Sequence, residues 1–215
     1  MKLFNIDGKF AHGMTRIFDL AVLNFLFLLT SIPLFTIGTS CSALYAVTLE
    51  MSENCDSYPL RSYCKYWRTH FKRATLLWFA LLFLGAFIIL DRFLINCMDN
   101  SFQYFKIFFS TLLFLWIMTI SYVFPLLVHF NNTVKQTLKN AIFMSIRHLP
   151  WTLLIILINI MPVISVVILP SLFSALMLLF MMTIGFAALA LFNSYILEKW
   201  IFPAYESHPV KPEHI

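Results

Sequence analysis

The residues of this sequence that could do chemistry are few, and their spacing matches no common catalytic or metal-binding pattern. None of the four cysteines is spaced as C-x-x-C, and the six histidines are scattered. The motifs of zinc proteases, serine hydrolases, phosphate-binding loops and dinucleotide folds are absent. The apolar segments hold no paired carboxylates. The sequence therefore predicts a protein that is not an enzyme and uses no cofactor or metal ion, although an enzyme acting on a lipid or glycan through an unfamiliar site stays open.

Polar side chains at the start of the first long apolar run could act through their position in a membrane. Asp19 and Asn24 lie five residues apart, and polar groups in hydrocarbon usually face a bundle interior or a water-filled cavity. Asn24 is therefore interpreted either as a hydrogen-bonding partner of another helix or as a residue lining a substrate path, and Asn159 is interpreted in the same way. Arg16 precedes Asp19 by three residues, so the two could pair near the membrane surface.

Three further residues, Pro33, Thr36 and Gly38, predict a break in the middle of the same run. Proline removes a backbone N–H and leaves a carbonyl without its partner. Because lipid cannot satisfy that carbonyl, Thr36, Ser31 or a neighbouring helix must do so. The break is either a turn between two short helices or a discontinuous helix that lines a cavity, as in transporters. Gly38 also allows close helix packing.

Segment 59–73 combines an aromatic stripe with a basic stripe at helical spacing. The apolar stripe is formed by Leu60, Tyr63, Trp67, Phe71 and Ala74. The basic stripe is formed by Arg61, Lys65, Arg68 and Lys72. This pattern is typical of a helix that lies in the membrane interface over anionic lipid. The alternative is a cytoplasmic docking face for a soluble partner, to which Trp67 and Phe71 would contribute with the four basic residues.

The elements that must position these residues are membrane helices. Of the 215 residues, 60% are hydrophobic and 12% are charged, whereas soluble domains have about 25% charged residues. The lipid bilayer is therefore the first expected partner. The net charge of +5 is interpreted as a topology signal, and no nucleic-acid partner is predicted.

The uncharged runs predict an all-α, polytopic helical membrane bundle in one domain. Spans are predicted near residues 18–32, 36–50, 74–95, 104–130, 150–169 and 172–197, with a cytoplasmic interfacial helix over 59–73. Pro170 marks the turn between the last two spans, because proline disfavours helix at the residue before it. The first run, residues 20–49, is long for one span and short for two, so five or six spans are both possible.

The basic residues favour six spans. If the first run crosses once, ten of the 15 Lys and Arg residues are cytoplasmic; if it forms a hairpin, 13 are. The positive-inside rule favours the hairpin, whose turn would then lie near the outer face. Both arrangements place the C-terminus, Cys55 and Cys64 in the cytoplasm and Cys97 outside.

The N-terminal third of the chain resembles the YesL-like family of bacterial integral membrane proteins, whose function is unassigned. The resemblance is carried by Asp19-Leu20, Leu23-Asn24, Ser31-Ile32-Pro33, Thr36-Ile37-Gly38, Ala43-Leu44-Tyr45 and the basic segment after Arg61. It implies a plasma membrane protein of Gram-positive type, often encoded beside carbohydrate ABC importers and glycan-degrading enzymes, and it implies no catalytic residues.

From this resemblance and the basic stripe we expect an accessory or regulatory role in carbohydrate uptake. The partner would be a carbohydrate ABC transporter or a cytoplasmic regulator. The alternative is a subunit of a small-solute transporter or channel, with the broken first helix lining the path.

Overall fold

The structure, a computed structural model, describes residues 4–53, 58–96, 103–130, 132–168 and 170–205. The elements in these ranges are helical, and none of the described residues forms a strand, so the predicted all-α fold is confirmed. The α-helices are α1 (Phe4–Ser31), α2 (Ile37–Ser52), α3 (Pro59–Asn96), α4 (Gln103–His129), α5 (Val134–Arg147), α6 (Leu149–Ile168), α7 (Ser171–Phe180) and α8 (Phe186–Ile196). Shorter turns are the 3₁₀ turns Leu34–Thr36 and Phe202–Ala204 and the wider π turns Met181–Gly185 and Leu197–Ile201.

Six helical segments in the described ranges are long and apolar enough to cross a bilayer. They are Gly13–Ser31, Leu34–Ser52, Pro59–Ile95, Tyr104–His129, Leu149–Ile168 and Ser171–Ala204. Large apolar side chains cover the outside of the bundle; Phe18, Phe83 and Val167, for example, are 68%, 80% and 78% exposed. An apolar surface of this extent needs lipid as its solvent. The chain is therefore a polytopic helical membrane protein.

The basic segment does not form a helix of its own. Residues 59–73 and 74–95 belong to the single helix α3, which has 38 residues and a length of about 57 Å at 1.5 Å per residue. The prediction of a separate interfacial helix over 59–73 is wrong because no proline or glycine near residue 74 ends the first segment. Since a hydrocarbon core is about 30 Å thick, one end of α3 must extend beyond it. We expect this to be the basic end, because charged side chains are stable in water and costly in hydrocarbon.

Helix α5 was not predicted, although its sequence is amphipathic. Ala141 and Met144 are buried against the core, with Leu138 packed beside them, while Lys135 and Lys139 are exposed. The apolar residues recur every three or four positions, which indicates a helix with one buried face. The prediction treated this segment as a loop because its apolar run is too short for a span.

The buried core has two parts. One lies among α3, α4, α5, α6 and the end of the last helix, and is formed by residues such as Leu77, Tyr122, Ile155 and Phe202. The other lies among α1, α2, α3 and α8, and includes Leu23, Val47, Tyr63 and Ala187. Helix α2 contributes to both parts, and 67% of the residues in the most apolar 18-residue stretch of Leu34–Ser52 are buried. Polar side chains on α2 must therefore find their hydrogen-bond partners inside the protein.

Candidate functional sites at the helix break and the basic face

The break between α1 and α2 satisfies its backbone inside the protein. Pro33 is extended, with φ −74° and ψ 116°. The Thr36 N–H donates to the Pro33 carbonyl at 2.9 Å, and the Thr36 hydroxyl lies 2.6 Å from the Thr30 carbonyl and 2.7 Å from that of Pro33. The indole N–H of Trp78 donates to the Leu34 carbonyl at 2.9 Å. Thr36 and a neighbouring helix thus supply the bonds that lipid cannot.

The break lies beside the middle of α3. Trp78 is 19 residues after Pro59 and 18 residues before Asn96, so about 27 Å of helix continues beyond this contact. The side chains exposed at the break are apolar, with Ile32 75% and Leu34 76% exposed. This geometry fits a turn surrounded by hydrocarbon. The Trp78 contact places the turn beside the middle of α3, well short of its far end, and the expectation that the turn lies near the outer face stays a prediction.

Gly38 lies at a close contact between α2 and α3. A Cβ atom at this position would be 2.5 Å from the Trp78 Cβ and 2.9 Å from the Ala74 carbonyl oxygen. The neighbouring hydroxyl of Thr39 is 3.0 Å from that of Thr75. Real Cβ atoms are not found so close to other atoms, so Gly38 is needed for this helix contact.

A group of hydroxyls joins the break to the beginning of α3. The Thr30 hydroxyl is 2.6 Å from the Tyr63 hydroxyl, and the Ser40 hydroxyl donates to the Thr30 oxygen at 2.9 Å. Tyr63 is only 1% exposed. The hydroxyl of Ser31, which was the other expected partner of the broken backbone, is buried without a hydrogen-bond partner among the described residues. The break therefore fixes the orientation of α3 through Tyr63.

Asn24 connects α1 to the wide turn Met181–Gly185. Its Nδ2 donates to the carbonyls of Met181 at 3.1 Å and Met182 at 2.8 Å, and its Oδ1 accepts from the Ala187 N–H at 3.1 Å. A wide turn disturbs the regular helical hydrogen bonds, and the Asn24 amide, which is fully buried, supplies partners for that backbone. Nothing in the sequence marks the wide turn, so the sequence could suggest a partner helix for Asn24 but not which one.

The ionisable residues in the described part of the chain form no evident catalytic or metal site. Asp19 is half-buried on α1 and makes no hydrogen bond or ion pair with a described residue. The expected contact between Arg16 and Asp19 is therefore not formed. In the same ranges, no group of three or more His, Cys, Asp and Glu side chains could hold a metal ion.

The basic face of α3, formed by Arg61, Lys65, Arg68 and Lys72, is exposed along its length. It covers the 12 residues from Arg61 to Lys72, a rise of about 16 Å. None of the four side chains has a hydrogen bond or ion pair with a described residue.

The aromatic stripe beside the basic face is turned toward the bundle. Trp67 and Phe71 are half-buried, with ring centroids 5.0 Å apart. The Tyr66 hydroxyl donates to the Glu50 carboxylate of α2 at 2.5 Å, and Tyr63 bonds to α1 as described. These tyrosines hold the aromatic side inward and the basic face outward. The aromatic stripe is thus occupied by protein contacts.

The fold and these features define the chain as an all-α multi-pass membrane protein. Residues 20–92 match the family described as "Protein of unknown function, DUF624". Over 153 residues, the chain is 28% identical to "Uncharacterized protein YteU" of Bacillus subtilis (strain 168). This alignment covers 67% of the chain and 66% of YteU, which is just under two thirds of that relative. No solved structure matches the chain.

The matched region contains the break, all of α2 and the basic face. The match is consistent with the resemblance to the YesL-like family, although the family description does not carry that name. Neither description points to a catalytic activity.

Proposed function

We propose that this is a non-enzymatic, multi-pass accessory or regulatory protein of a bacterial plasma membrane. It acts by binding an acidic surface of a cytoplasmic partner through the basic face of α3. The observation that carries the proposal is the set of four exposed cations that lack an acidic partner within the described ranges. The positive-inside rule supports a cytoplasmic location for this face, and the same rule favours a cytoplasmic C-terminus.

A soluble acidic partner fits the basic face better than a lipid surface does. A helix that binds a lipid surface needs its apolar side free for the membrane, but Trp67 and Phe71 pack toward the protein. Because α3 continues directly into its apolar segment, we expect the basic face to extend along the helix from the bilayer surface toward the cytoplasm. Arg61 is about 16 Å farther along than Lys72, whereas each headgroup layer is only about 5–8 Å thick.

The link to carbohydrate uptake rests on the resemblance to the YesL-like family. On that basis the proposed partner is a subunit of a carbohydrate ABC importer or a cytoplasmic regulator of its expression. The other function considered, a transporter whose path is lined by the broken helix, has less support. Asn24, Thr36 and Gly38 are all engaged in contacts between or within helices.

Cross-linking at the basic face tests the proposal. Cys64 is exposed and lies among the basic residues. A full-length variant that keeps only Cys64 would carry a thiol-linked photo-cross-linker, be irradiated in native membranes and be analysed by mass spectrometry. We expect an adduct with one protein partner. The double variant Arg61→Glu/Lys65→Glu should lose this adduct, because like charges repel an acidic partner.

The matched control reverses two exposed charges on α5, Lys135→Glu/Lys139→Glu, and should keep the adduct. Loss of the adduct in both double variants would point to a general effect of net charge. Adducts with lipid alone, or a protein adduct that survives reversal at Arg61 and Lys65, would contradict docking at the basic face.

A further inference from the structure

Helices α2 and α8 meet along a line of polar side chains inside the bundle. We define this polar seam by Tyr45, Thr48, Ser52, Asn159, Asn193, Ser194 and Glu198. The three residues of α2 recur at spacings of three and four, so they share one face of the helix. The seam from Tyr45 to Ser52 is about 10 Å long.

The residues of the polar seam are joined in pairs at successive helical turns. Near one end, the Ser52 hydroxyl donates to the Glu198 carboxylate. One turn farther in, the hydroxyls of Thr48 and Ser194 are 2.8 Å apart, and both residues are fully buried. These contacts form a continuous polar line from the end of α2 into the core.

At the inner end of the seam, an amide group is left with an unused acceptor. Asn193 Nδ2 lies 3.0 Å from Asn159 Oδ1 and 3.3 Å from the Tyr45 hydroxyl. Asn193 is 1% exposed, yet its Oδ1 has no hydrogen-bond partner among the described residues. The Asn159 Nδ2 donates to no described residue. A buried carbonyl oxygen without a donor is unfavourable, and such groups usually have a water molecule or ligand as a partner.

The buried Asn193 Oδ1 and the amide of the partly buried Asn159 have complementary chemistry. Asn193 Oδ1 accepts a hydrogen bond, and Asn159 Nδ2 donates one. A hydroxyl group, which both donates and accepts, matches this pair. Asn159 lies ten residues after the start of α6 and nine before its end, which corresponds to the middle of a helix about as long as the hydrocarbon core is thick. Intramembrane polar groups at this depth often mark solute pathways.

We propose that the polar seam ends at Asn159 and Asn193 in a site for a hydroxyl group, and that water reaches this site from the Glu198 end through a recess that opens transiently at the buried Thr48–Ser194 contact. The hydroxyl belongs either to water or to a small polyol. This recess is separate from the basic face, and it does not depend on the docking function proposed above.

Cysteine accessibility tests the recess. In a full-length variant without native cysteines, Ser194→Cys and Thr48→Cys place thiols in the seam, and Ser194→Cys is nearly isosteric. The controls Ala190→Cys and Val47→Cys lie on the same two helices, are equally buried and face apolar neighbours. A small cationic methanethiosulfonate reagent would be applied to inverted vesicles. Because only the thiolate reacts and an apolar site suppresses it, the seam cysteines should react on the order of tenfold faster or more.

Added xylitol distinguishes the two sources of the hydroxyl. Fast reaction of Ser194→Cys that xylitol slows, with no such effect on Cys64 in the parent chain, supports a polyol site. Fast reaction that xylitol leaves unchanged supports a recess that holds water. If both seam cysteines react as slowly as their controls in protein that purifies as a single species, the recess does not exist and the proposal is overturned.

Discussion

The contact at Gly38 makes a sharp prediction about stability. In Gly38→Ala, the new Cβ would meet the Trp78 Cβ at 2.5 Å and a backbone oxygen at 2.9 Å. Neither is the far end of a flexible side chain, so α2 and α3 must separate by about 1 Å to restore ordinary carbon contacts near 3.5 Å. Overpacking of this kind costs about 1–3 kcal/mol. The higher helix propensity of alanine offsets up to about 1 kcal/mol of that cost.

Gly13→Ala provides the matched control. Gly13 also lies inside a helix, but nothing is within 4 Å of a Cβ built there. Alanine should therefore stabilise this position by about 0.5–1 kcal/mol. The same chemical change is thus expected to have opposite signs at the two positions.

Thermal unfolding of both variants in one mild detergent, followed by size-exclusion chromatography after heating, measures this difference. One kcal/mol corresponds to about 2–4 °C for a chain of this size. Gly38→Ala should unfold at a lower temperature than the parent protein, and Gly13→Ala at the same or a higher temperature. If Gly38→Ala were as stable as Gly13→Ala, the close approach of α2 to α3 would be refuted.

Three more predictions follow from other contacts. Asn24→Leu removes two donors and one acceptor from the wide turn at Met181 and should destabilise the protein by about 1–3 kcal/mol in the same assay, whereas the exposed Phe25→Leu should change stability by no more than about 0.5 kcal/mol. Leu34→Cys, as the only cysteine, should resist an impermeant maleimide from both sides of the membrane, because we expect a turn whose exposed side chains are apolar to be surrounded by hydrocarbon. Labelling from outside would instead place the turn at the outer face, as the basic residues predict. Burial, followed by the neighbouring Arg147, lowers the pKa of His148 from its ordinary value of 6.5. The folded state therefore favours neutral His148, so its contribution to stability is complete above about pH 6.5 and declines as the pH falls below that value. The unfolding temperature should therefore fall less on acidification below pH 6.5 in His148→Gln than in the parent, and an equal fall in the two proteins would contradict this role of His148.

The parts of the fold that could be predicted from sequence depend on local patterns. Long uncharged runs set the number of apolar helices, and Pro33 and Pro170 end helices because proline removes a donor and restricts the preceding residue. The need for internal partners at the break also followed from chemistry alone, since lipid offers none. Thr36 meets that need from within the same segment, so spacing was sufficient to find it.

The parts that could not be predicted depend on contacts between distant segments. The wide turn at Met181 has no local signal, and Asn24 is separated from it by 157 residues. From sequence, the aromatic stripe of α3 could face either lipid or protein. In the structure it faces protein, and the hydrogen bond between the Thr30 and Tyr63 hydroxyls is one of the contacts that hold it there. The position of the break beside Trp78 likewise depends on the absence of a side chain at Gly38. From sequence, Gly38 predicted close helix packing but not which helix it contacts.

Helix α2 contacts both proposed sites, the basic face through α3 and the polar seam through the last helix. Because it does so with different residues, the two sites can be tested independently. Its side toward α3 bonds through Thr39 and Glu50, and its side toward the last helix bonds through Thr48 and Ser52. The contacts that orient the basic face lie within residues 20–92, the region that matches the family of unknown function. The polar seam also needs residues 159–198, which lie outside that region. Docking at the basic face therefore depends on contacts within residues 20–92, whereas the recess depends on the last two spans of the chain, so failure of either proposal leaves the other standing.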